Sequence, residues 1–202
     1  MSWWSKNGTI PVNDSEFNSI ISGLVFNCPV CIEKRISEGM MPDGKKKYKI
    51  EKKAVSARNS TFRSRNVCGH LLITVLAQIR RPLVRNAAYA LLDSNDSIED
   101  KVQEIINGTT MSDTNFELVV FQKRTDMSDT EAFYYYIRNA FAHGSFEIIN
   151  TDAGKIYKLE SSKEGSIKAQ MRLKESSLKR YIDYSMLSAS EIKALQKRSS
   201  QK

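Results

Sequence analysis

The most informative stretch of this chain lies in its C-terminal half and reads Tyr134-Tyr135-Tyr136-Ile137-Arg138-Asn139-Ala140-Phe141-Ala142-His143-Gly144. Its apolar residues recur at helical spacing, so one side of a helix can pack into a core while Arg138 lies on another side. Ser128 and Glu131 form a capping-box pattern that would begin this helix. Gly144 predicts its end, because glycine tolerates the left-handed geometry of helix termini. His143 therefore falls in the last turn, where the helix dipole favours a charged imidazole.

The combination of Arg138 and His143 suits chemistry on phosphate groups. Cleaving RNA without a metal uses the neighbouring 2′-hydroxyl as nucleophile, so the protein must transfer protons and stabilise an anionic phosphorane. Histidine titrates near neutral pH, and arginine offers a permanently charged planar fork. The same two residues also fit a simpler interpretation, in which a surface arginine precedes a histidine at the end of a helix.

The segment Arg138-Asn139-Ala140-Phe141-Ala142-His143 resembles the R-x-x-x-x-H motif of the HEPN superfamily, whose members prefer a small polar residue directly after the arginine. The resemblance extends more weakly from about Cys68 to the C-terminus. It implies a helical fold and a metal-independent endoribonuclease, either a toxin or an anti-phage defence effector, with an antitoxin or other regulatory partner. One departure is Ser145, since toxins paired with a nucleotidyltransferase antitoxin have a tyrosine there. Regulation through that tyrosine is therefore not supported.

The resemblance implies that Arg138, Asn139 and His143 are the catalytic residues. Residues five apart on an ideal helix point roughly 140° away from each other, so one subunit would present the arginine and the histidine poorly. Two motif helices around a twofold axis would bring both pairs into one cleft, which is how HEPN dimers are understood to build their site. We therefore expect a homodimer. Asn139 would orient the imidazole or donate to the phosphate; the alternative is a solvent-exposed helix residue.

A basic segment carries the whole net charge of the chain. Residues 34–65 hold eleven Lys or Arg against three Asp or Glu, and the net charge is +8. Such a segment is often a solvated surface, but it is also the electrostatic footprint expected for a nucleic-acid backbone. The candidate RNA-binding residues are Lys45, Lys46, Lys47, Lys49, Lys52, Lys53, Arg58, Arg63 and Arg65.

Potential zinc ligands bracket the basic segment. Cys28 and Cys31 have the C-x-x-C spacing of a zinc knuckle, and Cys68 and His70 follow the segment. Three thiolates and one imidazole suit a tetrahedral structural zinc site, with no cofactor expected for catalysis. The C-x-H spacing is tight and the gap between Cys31 and Cys68 is long, so buried thiols beside a helix-starting histidine are the alternative.

The hydrophobic pattern predicts mostly helices. They cover residues 14–26, 69–92, 96–107, 128–143, 175–186 and 190–198, and Pro82 would kink or split the second. Short strands are predicted at 47–54, 146–150, 155–160 and 167–173, while 114–123 fits a helix or a strand. The predicted fold class is mainly α: a HEPN-like helical bundle at residues 68–202, with a small β-hairpin insertion. A basic, zinc-binding N-terminal module would occupy residues 1–67.

Three functions are compatible with these patterns. The leading hypothesis is the HEPN-type endoribonuclease with RNA as its partner. A non-catalytic RNA-binding and dimerisation module is the second, and a zinc-module DNA-binding regulator is the third. No segment resembles a secretory signal or a membrane span, so we expect a cytoplasmic protein without a membrane partner.

Overall fold

The computed structural model describes residues 13–27, 31–54, 69–108 and 116–200. The helices are α1 (Ser15–Ile21), α2 (Gly69–Arg85), α3 (Ile98–Gly108), α4 (Asp129–Ala142), α5 (Glu175–Met186) and α6 (Ala189–Ser200). A π-helical turn, Ser22–Phe26, continues α1. The strands are β1 (Cys31–Met40), β2 (Lys46–Ala54), β3 (Tyr89–Leu92), β4 (Leu118–Gln122), β5 (Phe146–Thr151), β6 (Gly154–Lys163) and β7 (Ser166–Lys174).

A five-stranded mixed sheet forms the centre of the fold, so the predicted mainly helical bundle is wrong. The strand order is β3-β4-β7-β6-β5, with β3 parallel to β4 and the other pairs antiparallel. Helix α3 makes the crossover between the two parallel strands. The predicted hairpin insertion is in fact the three-stranded meander β5-β6-β7, which pairs with β4 and thereby becomes part of the core.

The second predicted helix, residues 69–92, extends too far, because its last residues form a strand. Helix α2 ends at Arg85 and accommodates Pro82 without splitting, while residues 89–92 form β3. The ambiguous segment around Val119 is a strand, β4, and all five of its residues are buried. Short apolar runs such as these are compatible with a buried strand or a buried helix, and tertiary pairing decides between the two.

The two faces of the sheet differ in chemistry. One face is apolar and packs on α4: the ring of Tyr157 on β6 lies 6.1 Å from that of Phe141, and Phe121 on β4 lies 6.2 Å from Phe133. The other face packs against α3 on β4 and β7, and it carries charged side chains on β5, β6 and β7 beside the apolar Ile149 and Ile156. A strand exposes alternate residues to opposite faces, so this division is present along each strand.

Helix α4 begins and ends where the sequence predicts. Ser128 Oγ accepts a hydrogen bond from the backbone N of Glu131 at 3.3 Å, and the Glu131 carboxylate accepts one from the backbone N of Ser128 at 3.1 Å. At the other end Gly144 adopts φ +69°, and the backbone N of Ser145 donates to the carbonyl of Ala140 at 2.8 Å. This left-handed turn ends the helix and leads directly into β5.

The N-terminal helix belongs to the same core as the C-terminal half. Phe17, Ile20 and Leu24 are buried in the hydrophobic cluster that α4 and the sheet also form. Gly23 in the π-helical turn packs closely on α5, because a Cβ there would lie 2.6 Å from the Cδ1 of Ile182. The division of the chain at residue 67 stays a prediction.

The basic segment contains the separate two-stranded antiparallel sheet β1-β2, and the predicted strand at 47–54 corresponds to β2. Across the described ranges, no helix combines the length and apolar character needed to cross a membrane.

Candidate functional site

The three predicted catalytic residues lie on one side of α4. The rest of the helix circumference is mostly buried, whereas Arg138 and Asn139 are half-buried and His143 is exposed. At 100° per residue, these positions span the solvent-facing stripe of the helix, with Arg138 at one edge and His143 at the other. We call Glu131, Tyr135, Arg138, Asn139, Ala142 and His143 the α4 stripe. Arg138 and His143 thus diverge as expected, but both face solvent.

Arg138 is oriented by its neighbour in the chain. Its Nη1 donates a hydrogen bond to Oδ1 of Asn139 at 3.2 Å. Its Nε is buried and has no hydrogen-bond acceptor in the described part of the chain. A buried N–H without an acceptor is unfavourable, and no substrate can reach it while it stays buried. An anionic oxygen from outside the chain would instead meet the other N–H groups of this half-buried guanidinium.

His143 is the C-cap residue of α4. Its backbone N donates to the carbonyl of Asn139 at 3.0 Å, which fixes its main chain. Its side chain is exposed, and among residues 13–27, 31–54, 69–108 and 116–200 none is hydrogen-bonded to the imidazole. The imidazole can therefore reach a substrate or a second subunit.

Arg124 extends the α4 stripe through its contact with Tyr135 and was missed in the sequence. Arg124 forms a two-pronged ion pair with Asp126, at 2.8 and 2.6 Å, and its guanidinium lies 4.3 Å from the centre of the Tyr135 ring. The hydrogen bonds to Asp126 raise the pKa of Arg124, and Arg124 lowers the pKa of Asp126. The only signal in the sequence was the position of Tyr135 three residues before Arg138, which puts both on one helix face.

The β1-β2 hairpin exposes part of the predicted basic surface. Lys45 and Lys47 have side chains that are 79% and 61% exposed, and each lies within 4 Å of one carboxylate, Asp43 or Glu38. Lys49 is also exposed and shares a face of β2 with Lys47. Lys46, Lys52 and Lys53 belong to β2 by their backbone, but their side chains lie outside the described part. Arg58, Arg63 and Arg65 lie outside the described residues altogether.

The structure describes only part of the predicted zinc site. Cys28 and Cys68 are not among the described residues, whereas Cys31 begins β1 and His70 lies in the first turn of α2, without described side chains. Among the described side chains, no group of three or more His, Cys, Asp or Glu could hold a metal ion. The zinc site therefore stays a prediction from the cysteine and histidine spacing.

The predicted catalytic residues are therefore all carried by α4 and its C-cap. The stripe offers a fixed cation at Arg138 and an accessible imidazole at His143, which together can neutralise a phosphate and transfer a proton. Comparisons of the chain with models of protein families, with curated proteins and with solved structures found no match.

Proposed function

We propose that this protein is a metal-independent endoribonuclease of HEPN type, a toxin or anti-phage defence effector that acts as a homodimer in the cytoplasm. The observation that carries the proposal is the α4 stripe, where the half-buried Arg138, hydrogen-bonded to Asn139, and the exposed His143 lie on the solvent-facing side of one helix. The chain does not have the predicted helical bundle. The proposal therefore rests on these residues and not on the fold.

In the proposed reaction the 2′-oxygen of a nucleotide attacks the adjacent phosphorus while the imidazole of His143 takes the 2′-hydroxyl proton. The bond from phosphorus to the 5′-oxygen breaks, and a second imidazole, from His143 of the partner subunit, gives that oxygen a proton. The Arg138 guanidinium stabilises the additional negative charge of the phosphorane. The products are a 2′,3′-cyclic phosphate and a 5′-hydroxyl.

Two other surfaces support RNA as the substrate. The exposed lysines of the β1-β2 hairpin can bind phosphates regardless of sequence. Tyr135 and Arg124, next to the proposed catalytic residues, form a stacked pair of the kind that unpaired bases contact in RNA. We assign backbone binding to the hairpin and contacts near the cleaved bond to the α4 stripe.

The decisive experiment incubates the purified protein with total RNA in the presence of a chelator and maps the ends of the products. We expect cleavage that leaves 2′,3′-cyclic phosphates and that a 2′-deoxy substitution at the cut site prevents. Arg138→Ala and His143→Ala should each lower the rate by about a hundredfold or more. Arg180→Ala removes an exposed helical arginine elsewhere and should leave the rate unchanged. Full activity in either stripe variant would refute the assignment.

A second candidate function is a non-catalytic RNA-binding module, which the exposure of Lys45, Lys47 and Lys49 favours. It would bind RNA in the same experiment without cutting it, and the stripe variants would bind as the parent protein does. Tighter binding to duplex DNA than to RNA, again without cleavage, would instead favour the DNA-binding regulator.

A further inference from the structure

A second candidate site lies on the face of the sheet that α4 does not cover. A cavity of about 800 Å³ opens between α3, the end of β5 and the surface of β6 and β7. The volume is within the range of sites for small organic ligands, roughly 300–1,000 Å³. Because the sheet separates this cavity from α4, it is distinct from the proposed catalytic stripe.

The floor of the cavity contains a row of charged side chains on neighbouring strands. Glu147, Lys158 and Arg172 are neighbours across β5, β6 and β7, and the same row continues to Leu118 on β4. Glu147 and Arg172 are only 5% and 7% exposed, and the side chain of Lys158 is 18% exposed. Leu118 shows that this row accepts an apolar residue. A buried ion pair is weak evidence for stability, so this row of charges at a cavity is a candidate for a functional role.

The floor presents hydrogen-bond donors to the cavity. Lys158, Gln170 and Arg172 line it, whereas their carboxylate partners, Glu147 and Glu160, are not among its lining residues. Lys158 Nζ lies 3.6 Å from Glu147, and Gln170 Nε2 donates to Glu160 at 2.8 Å. The two carboxylates thus hold Lys158 and Gln170 in place, and the floor of the cavity on the sheet presents two cations and an amide.

Arg172 is held in one orientation by an aromatic residue at the cavity wall. Its guanidinium lies 4.6 Å from the centre of the Phe116 ring, and its Nη1 donates to the Phe116 carbonyl at 3.4 Å. A fixed planar guanidinium recognises the paired oxygens of a carboxylate or a phosphate better than a flexible one.

The walls and the mouth restrict the ligand further. Val102, Ile106 and Ile149 give apolar walls that an apolar or aromatic body would fill. Glu99, Asp100 and Asp152, all exposed, also line the cavity, and their charges oppose a polyanion such as RNA and any negative charge of a ligand that lies away from Lys158 and Arg172. The ligand must therefore be small and carry its negative charge at one end.

We infer that this cavity binds a small organic anion, which places one carboxylate or phosphate group against Lys158 and Arg172 and an apolar body between α3 and β5. The inference does not depend on the proposed ribonuclease activity, since no residue of the α4 stripe lines the cavity.

The test uses phenyl phosphate, benzoate, benzyl alcohol and inorganic phosphate as probes in amide NMR titrations of the full chain. We expect saturable shifts around Ile106, Ile149 and Arg172 with phenyl phosphate or benzoate, and the stronger of the two identifies the anionic group. Benzyl alcohol, which lacks the charge, and inorganic phosphate, which lacks the apolar body, should bind about tenfold more weakly or worse.

Variants separate binding from folding. Lys158→Met keeps most of the side-chain volume and should weaken binding of the best probe by about tenfold or more. Lys163→Met makes the same change at an exposed position of β6 and should leave the affinity for that probe unchanged. Ile106→Trp fills the cavity without altering its charges and should prevent binding. His143→Ala should bind normally whatever happens to RNA cleavage.

Several results would overturn the inference. Absence of saturable shifts with both anionic probes is one, and equal affinity for benzyl alcohol is another. Unchanged affinity in a folded Lys158→Met or Ile106→Trp variant would do the same. Shifts confined to the β1-β2 hairpin would mean that the probes bind its lysines and not the cavity.

Discussion

The Nη1 atom of Arg138 donates a 3.2 Å hydrogen bond to the side-chain oxygen of Asn139, and the carbonyl of the same asparagine accepts from the backbone N of His143. Asn139 therefore contacts both members of the proposed catalytic pair. It is a positioning residue in this arrangement, because it holds the guanidinium toward the solvent-facing side of α4.

Removing this hydrogen bond should slow RNA cleavage more than it weakens RNA binding. We expect Asn139→Ala to lower kcat by about tenfold to a hundredfold, with little change in KM, because the guanidinium no longer has its orienting acceptor. Asn139→Asp keeps an acceptor oxygen and should recover part of kcat, although its charge should raise KM. Asn107→Ala at the end of α3 is the control. Equal kcat in the Ala and Asp variants would argue against a positioning role.

Activity should require two subunits. The edges of the α4 stripe hold Arg138 and His143 apart within one chain, so a second copy is needed to surround a phosphate. A mixed dimer of Arg138→Ala and His143→Ala subunits has one His143, so the proposed reaction with two imidazoles predicts that the mixture stays inactive. Partial recovery of activity would mean that each site uses one arginine and one histidine from different subunits. A monomer that cleaves at the full rate, measured by sedimentation and kinetics together, would exclude both arrangements.

RNA affinity should depend on the hairpin lysines and on salt. Neutralising Lys45, Lys46 and Lys47 to Gln should weaken binding to many sequences alike and should flatten the log-log salt slope by roughly 0.7 for each phosphate that the hairpin no longer binds. The cleavage rate at saturating RNA should stay unchanged. The control neutralises Lys193, Lys197 and Arg198, three exposed cations of α6. If both triple variants bind RNA with the same reduced affinity, net charge rather than the hairpin determines binding.

The purified protein should contain about one zinc per chain if Cys28, Cys31, Cys68 and His70 bind it as predicted. Cys28→Ser should then release the metal and loosen the adjoining segment, because structural zinc contributes directly to folding. Metal analysis and thiol alkylation measure this, and a metal-free protein with reactive thiols would contradict it. Chelation should not stop cleavage unless it also unfolds that segment.

The junction between α1 and β6 should make stability depend on pH. Asp14 caps α1 and pairs with Lys155, and these contacts lower the pKa of its carboxyl group below the ordinary 3.8. A lowered pKa stabilises the fold at pH values above about 4, and this contribution disappears as the pH falls through the folded-state pKa. Asp14→Asn retains the cap but not the charge, so its deficit in unfolding free energy should shrink below about pH 4. Asp183→Asn, at an exposed position of α5, should show no such trend.

The ends of α4 could be predicted from the sequence because they depend on neighbouring residues. The central sheet could not be predicted, because it depends on the pairing of distant strands. The start and end of α4 depend on Ser128, Glu131 and Gly144, whose effects act within one helical turn. The central sheet depends on β7 pairing with β4 from about fifty residues away, which no local pattern records. The same applies to the cavity, because Lys158 and Arg172 become neighbours only through strand register. The contact of Arg124 with Tyr135 was missed because Arg124 lies in an irregular loop without periodicity.

The short connection after α4 ties the proposed catalytic histidine to the sheet. Only Gly144 and Ser145 separate His143 from β5, and the Ser145 carbonyl already accepts a hydrogen bond from the backbone N of Glu160 on β6. Inserting a single residue here would turn every side chain of β5 to the opposite face or displace the histidine. The spacing from motif to strand should therefore resist insertions and deletions through evolution even where the side chains of β5 themselves are free to change.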